Sequence, residues 1–312
     1  MAGLSNLDLN LLVSLNALLE QRSVTRAAQQ VGLSQPALSA ALARLRRHFG
    51  DELLSRVGNE YRLTPLAMQL KPWARLALQN VDRVFSAQLE FDPAQSTREF
   101  SVGMSDYGCA VLGNALSELL AEEAPLARLR IVHNTPNVVD QAEQTLLTTD
   151  LLVLPHGFVT DLPHRDVLWD DWVLVVSADN DEVGTSLTVE QISAMPWVVT
   201  YHGPTASTPA ARQMRMLGIE PRVQVVCDSF LTVPGLVAGT KRIALLQERL
   251  VRKLPTDVGI RALPCPFDVG PLVDAMWWHP LYDRDAEHTF FRDLLARAAA
   301  QVTGTETPPN RG

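Results

Sequence analysis

Cysteine is scarce in this chain of 312 residues and occurs only at positions 109, 227 and 265. Thiols so few and so widely spaced exclude a disulfide scaffold and a zinc cluster of closely spaced cysteines. The sequence also lacks any apolar run of about 18 residues, the length that a transmembrane helix requires. Its first residues show neither the basic nor the apolar segment of a secretion signal. We therefore expect a reduced, cytoplasmic protein without a membrane partner.

Sequence motifs of catalysis are absent as well. There is no glycine-rich phosphate loop, no nucleophile elbow and no HExxH metal motif. The histidines at 133, 156, 164 and 202 are dispersed, and nothing in their spacing favours a metal site, although folding could still bring a trio together. The sequence therefore predicts no catalytic residue, no metal and no cofactor.

The formal charge is divided unevenly along the chain. The net charge is −8, but residues 1–90 carry +3 and the remaining residues carry −11. Only the part that meets phosphates has to be basic, so this division favours a DNA-binding head on an acidic body. Because a surplus of three charges is modest, specific contacts and dimerisation would have to supply much of the affinity.

Two short helical patterns meet at a glycine within residues 23–49. Gly32 is predicted to end the first helix, since glycine adopts a left-handed turn without strain. Ser34 is placed to cap the second helix, whose first turn contains Pro36. The apolar stripe of that helix consists of Leu38, Leu42, Leu45 and Phe49. This pattern predicts a helix-turn-helix whose second helix can enter a major groove of DNA.

The outward residues of the second helix suit contacts to DNA. Gln35 can pair with the donor and acceptor edge of adenine, and Ala40 and Ala43 are small enough to let the helix lie deep in the groove. Arg46 and Arg47 suit phosphates better than bases. The alternative is a plain helical hairpin with a basic, solvated face.

Residues 7–65 resemble the winged helix-turn-helix of the LysR-type transcriptional regulators. The resemblance is carried by the motifs DLNLL (8–12), SVTRAA (23–28), LSQPALS (33–39) and LTP (63–65), and by Leu42, Leu45, Phe49, Gly50, Leu53, Leu54 and Arg56. The order and length of the chain behind these motifs also fit the family. Within it, the sequence is most similar to the branch of the nodulation regulators and the regulators of aromatic-compound degradation.

The segment 52–63 predicts a hairpin around Gly58 and Asn59, which is the wing in this setting. Arg56 and Arg62 are its candidates for phosphate or minor-groove contacts. Asn59 and Glu60 stand where the family often has a basic residue, which weakens the case for a strong contact at the wing tip. The full set of candidate DNA-binding residues is Thr25, Arg26, Ser34, Gln35, Pro36, Ser39, Ala40, Ala43, Arg46, Arg47, Arg56 and Arg62.

A long helix is predicted from Pro65 to about Leu89, and residues 91–97 are predicted as a hinge because they combine proline with small polar residues. The narrow apolar stripe of the helix suits a partner helix; it consists of Leu66, Leu70, Trp73, Ala77, Asn80 or Val81, and Val84. The resemblance implies a homodimer through this linker helix and a homotetramer built from such dimers. The alternative is a helix that packs on its own domain.

From residue 98 onward strands alternate with helices, which predicts two α/β lobes with mainly parallel sheets. The predicted strands are 99–104, 129–133, 151–154, 172–177, 197–200, 223–226, 243–246 and 272–278, and the predicted helices are 112–120, 138–147, 206–217, 231–238 and 287–300. A Pro/His/Gly-rich crossover is expected after residue 154, and residues 303–312 are predicted to be a disordered tail.

The resemblance implies a domain plan in which the two lobes fold like a periplasmic binding protein. The all-α winged helix-turn-helix would comprise 1–65, the linker helix 66–90, the hinge 91–97 and the effector-binding domain 98–302. Within that domain, lobe I would comprise 98–163 and 267–302, and lobe II would comprise 164–266.

Ligands of open α/β sheets bind beyond the carboxyl ends of the strands. The residues at those positions offer hydroxyls, imidazoles and aromatic rings, which suit a small aromatic or phenolic effector. Asp106 and Asp228 would repel a carboxylate. The candidate effector-binding residues are Ser105, Asp106, Tyr107, His156, Thr200, Tyr201, His202 and Phe230. Among these, the resemblance supports Ser105, Thr200 to His202, and Phe230. For each of these candidate residues the alternative is a purely structural role as a helix cap, a core side chain or a loop residue.

Together these features predict a regulator that binds a promoter inverted repeat in double-stranded DNA and is switched by a small-molecule effector. One alternative is a redox-sensing regulator that uses Cys109 and Cys227, although no basic cluster marks either as a reactive thiol. An alternative of a different class is a small-molecule-binding module or an enzyme with an incidental helix-turn-helix.

Overall fold

The computed structural model describes residues 8–57, 60–85, 91–201 and 207–304, and the chain divides into two compact units, 1–90 and 91–312. The elements of the first unit are α1 (Leu9–Gln21), α2 (Val24–Gln30), α3 (Gln35–Phe49), β1 (Leu54–Val57), β2 (Glu60–Leu63) and α4 (Pro65–Phe85). Its core is formed by buried leucine and alanine side chains of α1, α2, α3 and α4, together with Leu53 and Leu54.

The predicted helix-turn-helix is confirmed, and its turn follows from local chemistry. The hydroxyl of Ser23 accepts a hydrogen bond from the backbone N–H of Arg26 and caps α2. Gly32 has a φ of +68°, the left-handed conformation that favours glycine. The hydroxyl of Ser34 then accepts from the N–H of Ala37 at 3.3 Å and caps α3.

The long helix α4 packs against α1 and also leaves apolar surface exposed. Ala67 and Ala74 are buried in the core of the first unit, and Leu70 packs against the same core. Met68 and Trp73 are 56% and 51% exposed. The predicted stripe is therefore divided, since Leu70 covers its own unit while Trp73 faces outward. The predicted end of this helix, 86–89, lies outside the described residues.

The second unit begins with a short 3-10 helix (Pro93–Gln95) inside the predicted hinge. Its strands are β3 (Glu99–Met104), β4 (Arg128–His133), β5 (Leu151–Pro155), β6 (His164–Asp170), β7 (Trp172–Ser177), β8 (Pro196–Thr200), β9 (Arg222–Cys227), β10 (Ile243–Gln247), β11 (Ile260–Leu263) and β12 (Leu272–Trp277). Its helices are α5 (Asp106–Glu123), α6 (Pro136–Asp140), α7 (Ala142–Leu146), α8 (Val189–Ala194), α9 (Pro209–Met216), α10 (Val233–Val237), α11 (Glu248–Lys253) and α12 (Ala286–Thr303), with a second 3-10 helix at Pro280–Tyr282.

These strands form two five-stranded sheets, in the orders β4-β3-β5-β12-β6 and β11-β7-β10-β8-β9. The two-lobed α/β class is confirmed, and the sheets are mainly parallel as expected, with one strand of each sheet running against the other four. In the first sheet β12 is antiparallel to both β5 and β6, and in the second sheet β7 is antiparallel to both β10 and β11. The reversed strands, β7 and β12, are each the first strand after the chain passes from one sheet to the other.

The sheet membership of β6 differs from the predicted lobe boundary at residue 164. Residues 164–170 pair with β12 in the first sheet, so the chain passes to the second sheet at Asp171. The strand escaped prediction because it lies at the sheet edge and its first three residues, His164 to Asp166, are polar and exposed. The edge strand β11 and the short helices α8 and α11 were also missed, and the predicted helix 138–147 is interrupted at Gln141.

The last helix ends at Thr303, and the predicted tail beyond residue 304 lies outside the described residues. No helix within the described part of the chain has the length and apolar character needed to cross a membrane.

Candidate functional site

The face of α3 opposite its buried leucines is open to solvent. Leu38, Leu42 and Leu45 point into the core of the first unit. The exposed residues of α3 include Gln35, Pro36, Ser39, Ala40, Ala43 and Arg47, and Thr25 and Arg26 are exposed at the start of α2. All the candidate base-reading positions of the recognition helix therefore lie on an accessible surface.

Arg46 has structural partners that its sequence position did not reveal. Its Nε donates to the carbonyl oxygen of Glu52 at 2.9 Å, and its Nη2 donates to that of Leu54 at 3.3 Å. The same guanidinium forms an ion pair with the Glu52 carboxylate at 3.0 Å. Arg46 therefore ties the end of α3 to the base of the wing.

The two wing arginines lie on opposite faces of the hairpin. In the register of β1 and β2, Arg56 is opposite Tyr61, and Ser55 is opposite Arg62. Neighbouring residues of a strand point to opposite faces, so Arg56 and Arg62 cannot reach the same phosphate. Both are exposed, and the predicted turn at Gly58 and Asn59 lies outside the described residues.

A cavity that is partly open to solvent lies between the two sheets of the second unit. Phe230 is at the centre of its aromatic lining: the ring centroids of Tyr201, Trp172 and Tyr107 lie 5.5, 6.2 and 6.4 Å from that of Phe230. Phe158 and Leu272 add further apolar surface. An enclosure of this kind suits a planar, apolar molecule.

Three polar atoms of residues that line the cavity are buried and have no hydrogen-bond partner among the described residues. They are Asn134 Oδ1, Trp172 Nε1 and Gln247 Oε1. Leaving such a group unsatisfied costs about 1–3 kcal/mol, and native proteins contain few of them. Two acceptors and one donor of the residues that line the cavity are therefore unsatisfied within the described part of the chain.

Asp274 adds an acid to the same lining and is only 5% exposed. Burial, reinforced by the charge of Asp170, raises the pKa of Asp274 to about 7. Among the described residues, no side chain or backbone N–H donates to its carboxylate. Asp170 is better satisfied, because it accepts from the Tyr107 hydroxyl at 2.7 Å and from the backbone N–H groups of Asp171 and Arg249. Burial and Asp170 raise the pKa of Tyr107, so its hydroxyl stays protonated and donates.

Asp106 joins the two halves of the second unit. Its carboxylate accepts from the hydroxyl of Ser229 at 2.7 Å and from the backbone N–H groups of Tyr107, Phe230 and Leu231 at 2.9, 3.2 and 2.9 Å. Asp106 begins α5 beside the first sheet, whereas Ser229 to Leu231 follow β9 of the second sheet. With four donors, this carboxylate positions Phe230 in the cavity wall.

Tyr201 lines the cavity in a strained conformation. Its φ of +55° is unusual for a residue other than glycine, and such strain costs on the order of 1–3 kcal/mol and concentrates at functional sites. Burial, together with the charges of Asp106 and Asp228, raises the pKa of Tyr201 to about 12, which keeps its hydroxyl neutral.

The structure thus brings together Ser105, Tyr107, Tyr201 and Phe230 of the eight predicted effector-binding residues. Thr200 lines an adjoining pocket that shares Tyr201 and Phe230 with the cavity. His156 is not among the lining residues and pairs with Asp166 instead, while His202 lies outside the described residues. Sequence reasoning missed Asn134, Phe158, Trp172, Gln247 and Asp274. A signal existed for Asp274, a lone charge inside the apolar strand LVDAMW.

The three cysteines are free thiols of intermediate burial. Cys227 Sγ donates to the carbonyl oxygen of Ser229, and Cys265 Sγ donates to that of Trp172. Burial raises the pKa of Cys265 to about 12. A reactive thiol needs a lowered pKa in an electropositive setting, and neither the carbonyl partner of Cys227 nor the burial of Cys265 provides one, so the redox-sensing alternative is not favoured.

A winged helix-turn-helix joined to a two-sheet α/β domain with an aromatic cavity defines a ligand-responsive DNA-binding regulator. Two family models match the chain: the bacterial regulatory helix-turn-helix protein, lysR family, over residues 9–68, and the LysR substrate binding domain over residues 93–300. The chain belongs to the LysR family. It is a transcriptional regulator and not an enzyme, and the resemblance noted from its sequence is confirmed.

Known proteins resemble the chain over almost its whole length. It is 33% identical over 306 residues to nodulation protein D 2 of Rhizobium tropici, covering 97% of this chain and 96% of that protein. Nodulation protein D 1 of Mesorhizobium japonicum is 34% identical over 302 residues, which is 95% of both chains.

Solved structures show the same fold. A probable transcriptional regulator from Pseudomonas aeruginosa is 28% identical, with a TM-score of 0.73 over 94% of this chain and 97% of that one. Full-length CbnR complexed with its target DNA is 16% identical, with a TM-score of 0.64 over 95% of this chain and 100% of that one, a likeness that shows the fold alone.

Proposed function

We propose that this regulator binds a promoter inverted repeat as a homodimer and is switched by an uncharged phenolic or aromatic effector in the cavity around Phe230. The observation that carries the proposal is the coincidence of aromatic walls with buried polar atoms of Asn134, Trp172 and Gln247 that have no partner among the described residues. We place this activity in the cytoplasm, where promoter DNA and a reduced environment are found.

The winged helix-turn-helix, which we assign to residues 1–65, reads DNA with α3. Its exposed Gln35, Ser39, Ala40 and Ala43 are placed to contact base edges in the major groove. Phosphate contacts fall to the exposed arginines and to the capped helix starts, among them Thr25, Arg26, Ser34, Pro36, Arg47, Arg56 and Arg62. Arg46 contributes mainly by holding the wing against α3, since its guanidinium already has three partners.

Dimerisation is assigned to the linker helix, residues 66–90. Met68 and Trp73 present large apolar side chains to solvent on α4, and exposed groups of this size favour a partner surface. Two heads held at a set spacing would match the two-fold symmetry of an inverted repeat. We further propose that two such dimers form a homotetramer.

The effector-binding domain is assigned to residues 98–302 after the hinge at 91–97, and lobe I takes in β6, so that it comprises 98–170 and 267–302. The ligand would lie against Phe230 and Tyr201, donate hydroxyl protons to Asn134 Oδ1 and Gln247 Oε1, and accept from Trp172 Nε1. Asp274 and Asp170 disfavour the carboxylate of a ligand nearby, so a neutral phenol should bind better than the corresponding aromatic acid.

The switch would act by population shift. An effector that prefers one arrangement of the two lobes stabilises that arrangement and changes the spacing or bend of the bound DNA. The differential affinity of the ligand for the two arrangements sets the size of the response.

The test is a footprint of the purified full-length protein on the DNA upstream of its own gene, at stated salt, with matched phenols and benzoates. Protection of an interrupted inverted repeat whose extent changes with a phenol supports both halves of the proposal.

Phe230→Ala should abolish the ligand effect and keep the protection, whereas Leu126→Ala, a change of an exposed apolar residue outside the cavity, should alter neither. A response to benzoates alone would refute the neutral-phenol assignment. Absence of protection there and in a genome-wide binding assay would refute the DNA-binding assignment.

A further inference from the structure

We propose that His156, His164 and Asp166 form a binding site for a divalent transition-metal ion such as Zn²⁺. One ligand atom from each of the three side chains can be chosen so that all lie within 4.8 Å of one another. His156 follows β5, and His164 and Asp166 open β6, so the sheet brings together residues that are dispersed in the sequence. Two imidazoles and one carboxylate are a ligand set that zinc accepts, with a fourth position left for water.

The distances between these groups are close to those of a metal site. His156 Nε2 and Asp166 Oδ1 are 2.6 Å apart and form a hydrogen bond. In a tetrahedral site with zinc bonds of about 2.0–2.2 Å, neighbouring ligand atoms lie roughly 3.3–3.5 Å apart. Each separation therefore has to change by at most about 1.5 Å, and all three side chains are at least partly exposed.

The strand geometry directs the ligands toward one another. His164 and Asp166 are two residues apart in β6, so both side chains leave the same face of the strand. Arg165 lies between them, points to the opposite face, and forms an ion pair with Asp293 at 3.4 Å. The nearest cationic side chain in the sequence is thus turned away from the proposed ion.

His164 is oriented in the way that metal-binding histidines usually are. Its Nδ1 lies 3.2 Å from the carbonyl oxygen of Leu162, which can only accept, so Nδ1 carries the proton and Nε2 presents its lone pair. The ring also packs against Trp277, with centroids 4.4 Å apart, and the Trp277 indole N–H is anchored to the carbonyl oxygen of Leu154 at 3.1 Å. A fixed tautomer and a rigid wall lower the cost of ordering the site.

The loop between the ligands is held by the other half of the unit. Arg212, on α9, donates to the carbonyl oxygens of His156 and Gly157 at 3.1 and 3.3 Å. Its guanidinium also lies 4.5 Å from the centroid of the Phe158 ring, which lines the main cavity. A bound ion would therefore order the segment that carries this part of the cavity wall.

The first test is calorimetric titration of ZnCl₂ into the untagged, chelator-treated full-length protein at neutral pH. We expect one ion per chain at this site. His164→Ala and Asp166→Asn should each weaken Zn²⁺ binding by at least about 100-fold, since loss of an outer-shell partner alone lowers metal affinity roughly 10–100-fold. His133→Ala, an exposed histidine outside the trio, is the matched control and should bind Zn²⁺ as the unaltered protein does.

The second test locates the ion by hydrogen exchange. Zn²⁺ should slow amide exchange in peptides covering residues 156–166 of the unaltered protein and of His133→Ala. The same peptides of Asp166→Asn, a variant that keeps the shape of the side chain, should exchange at an unchanged rate. Equal affinity in all variants, or protection confined to peptides that contain the cysteines, would overturn the proposal.

Discussion

Replacing Asp274 by asparagine should stabilise the second unit at pH 8 and have little effect near pH 4. The carboxyl is 5% exposed and its pKa is raised to about 7, against 3.8 for the ordinary group. Between these two values the folded state holds a proton that the unfolded state releases, so the stability of the unaltered protein falls as pH rises from about 4 to about 7. Above pH 7 the loss is complete and amounts to at most about 4 kcal/mol, at roughly 1.4 kcal/mol for each pKa unit. Asparagine has nearly the same shape and cannot ionise, so it escapes this loss.

The measurement is urea unfolding followed by tryptophan fluorescence at pH 4, 5, 6 and 8. Five of the six tryptophans lie in residues 91–312, so the signal reports mainly on the second unit. The advantage of Asp274→Asn over the unaltered protein should grow with pH and level off above pH 7. The exposed Asp257→Asn serves as the matched control and should show no such trend. An advantage of the same size at pH 5 and pH 8 would refute the argument that the buried charge causes the instability.

Three further experiments test separate parts of the molecule. Tyr107→Phe removes the 2.7 Å bond to Asp170 and should cost about 1.5–3 kcal/mol in urea unfolding of the second unit; an unchanged midpoint would contradict the importance of this bond. Gln35→Ala should reduce discrimination between matched and mismatched DNA by about 1–3 kcal/mol, whereas Arg62→Ala should weaken binding to both and lower the salt slope by about 1; equal losses for the two variants would refute this division of roles. Trp73→Ala should shift the protein toward monomers in analytical ultracentrifugation, and an unchanged association constant would exclude the proposed dimer surface.

The helix-turn-helix was predictable because its signals are local. Ser23, Gly32 and Ser34 act on backbone groups within four residues of themselves, and the structure shows the caps and the left-handed turn where these residue types require them. Strands such as β5 were equally accessible, since a continuous apolar run such as LLVL after Asp150 can be recognised without knowledge of its neighbours.

The role of single side chains in the sites was less predictable. Asp106 occupied the expected position after β3, but only the approach of residues 229–231 from the other sheet shows that its carboxylate is already satisfied. Arg46 has the composition of a phosphate contact, yet the wing folds back and accepts its hydrogen bonds. Both outcomes depend on partners distant in sequence or on the path of a loop.

The sequence by itself determined the class of this protein, its domain order and the face of α3 that is exposed, because capping, periodicity and motif order are properties of neighbouring residues. Only the tertiary structure decided which polar atoms meet in the cavity, that β6 belongs to the first sheet, and that His156, His164 and Asp166 lie together. These features arise where the chain crosses from one sheet to the other and returns, so that residues more than 100 positions apart, such as Asn134 and Gln247, line one cavity. Pairings of that range leave no local pattern, and the packing of the two sheets alone brings them about.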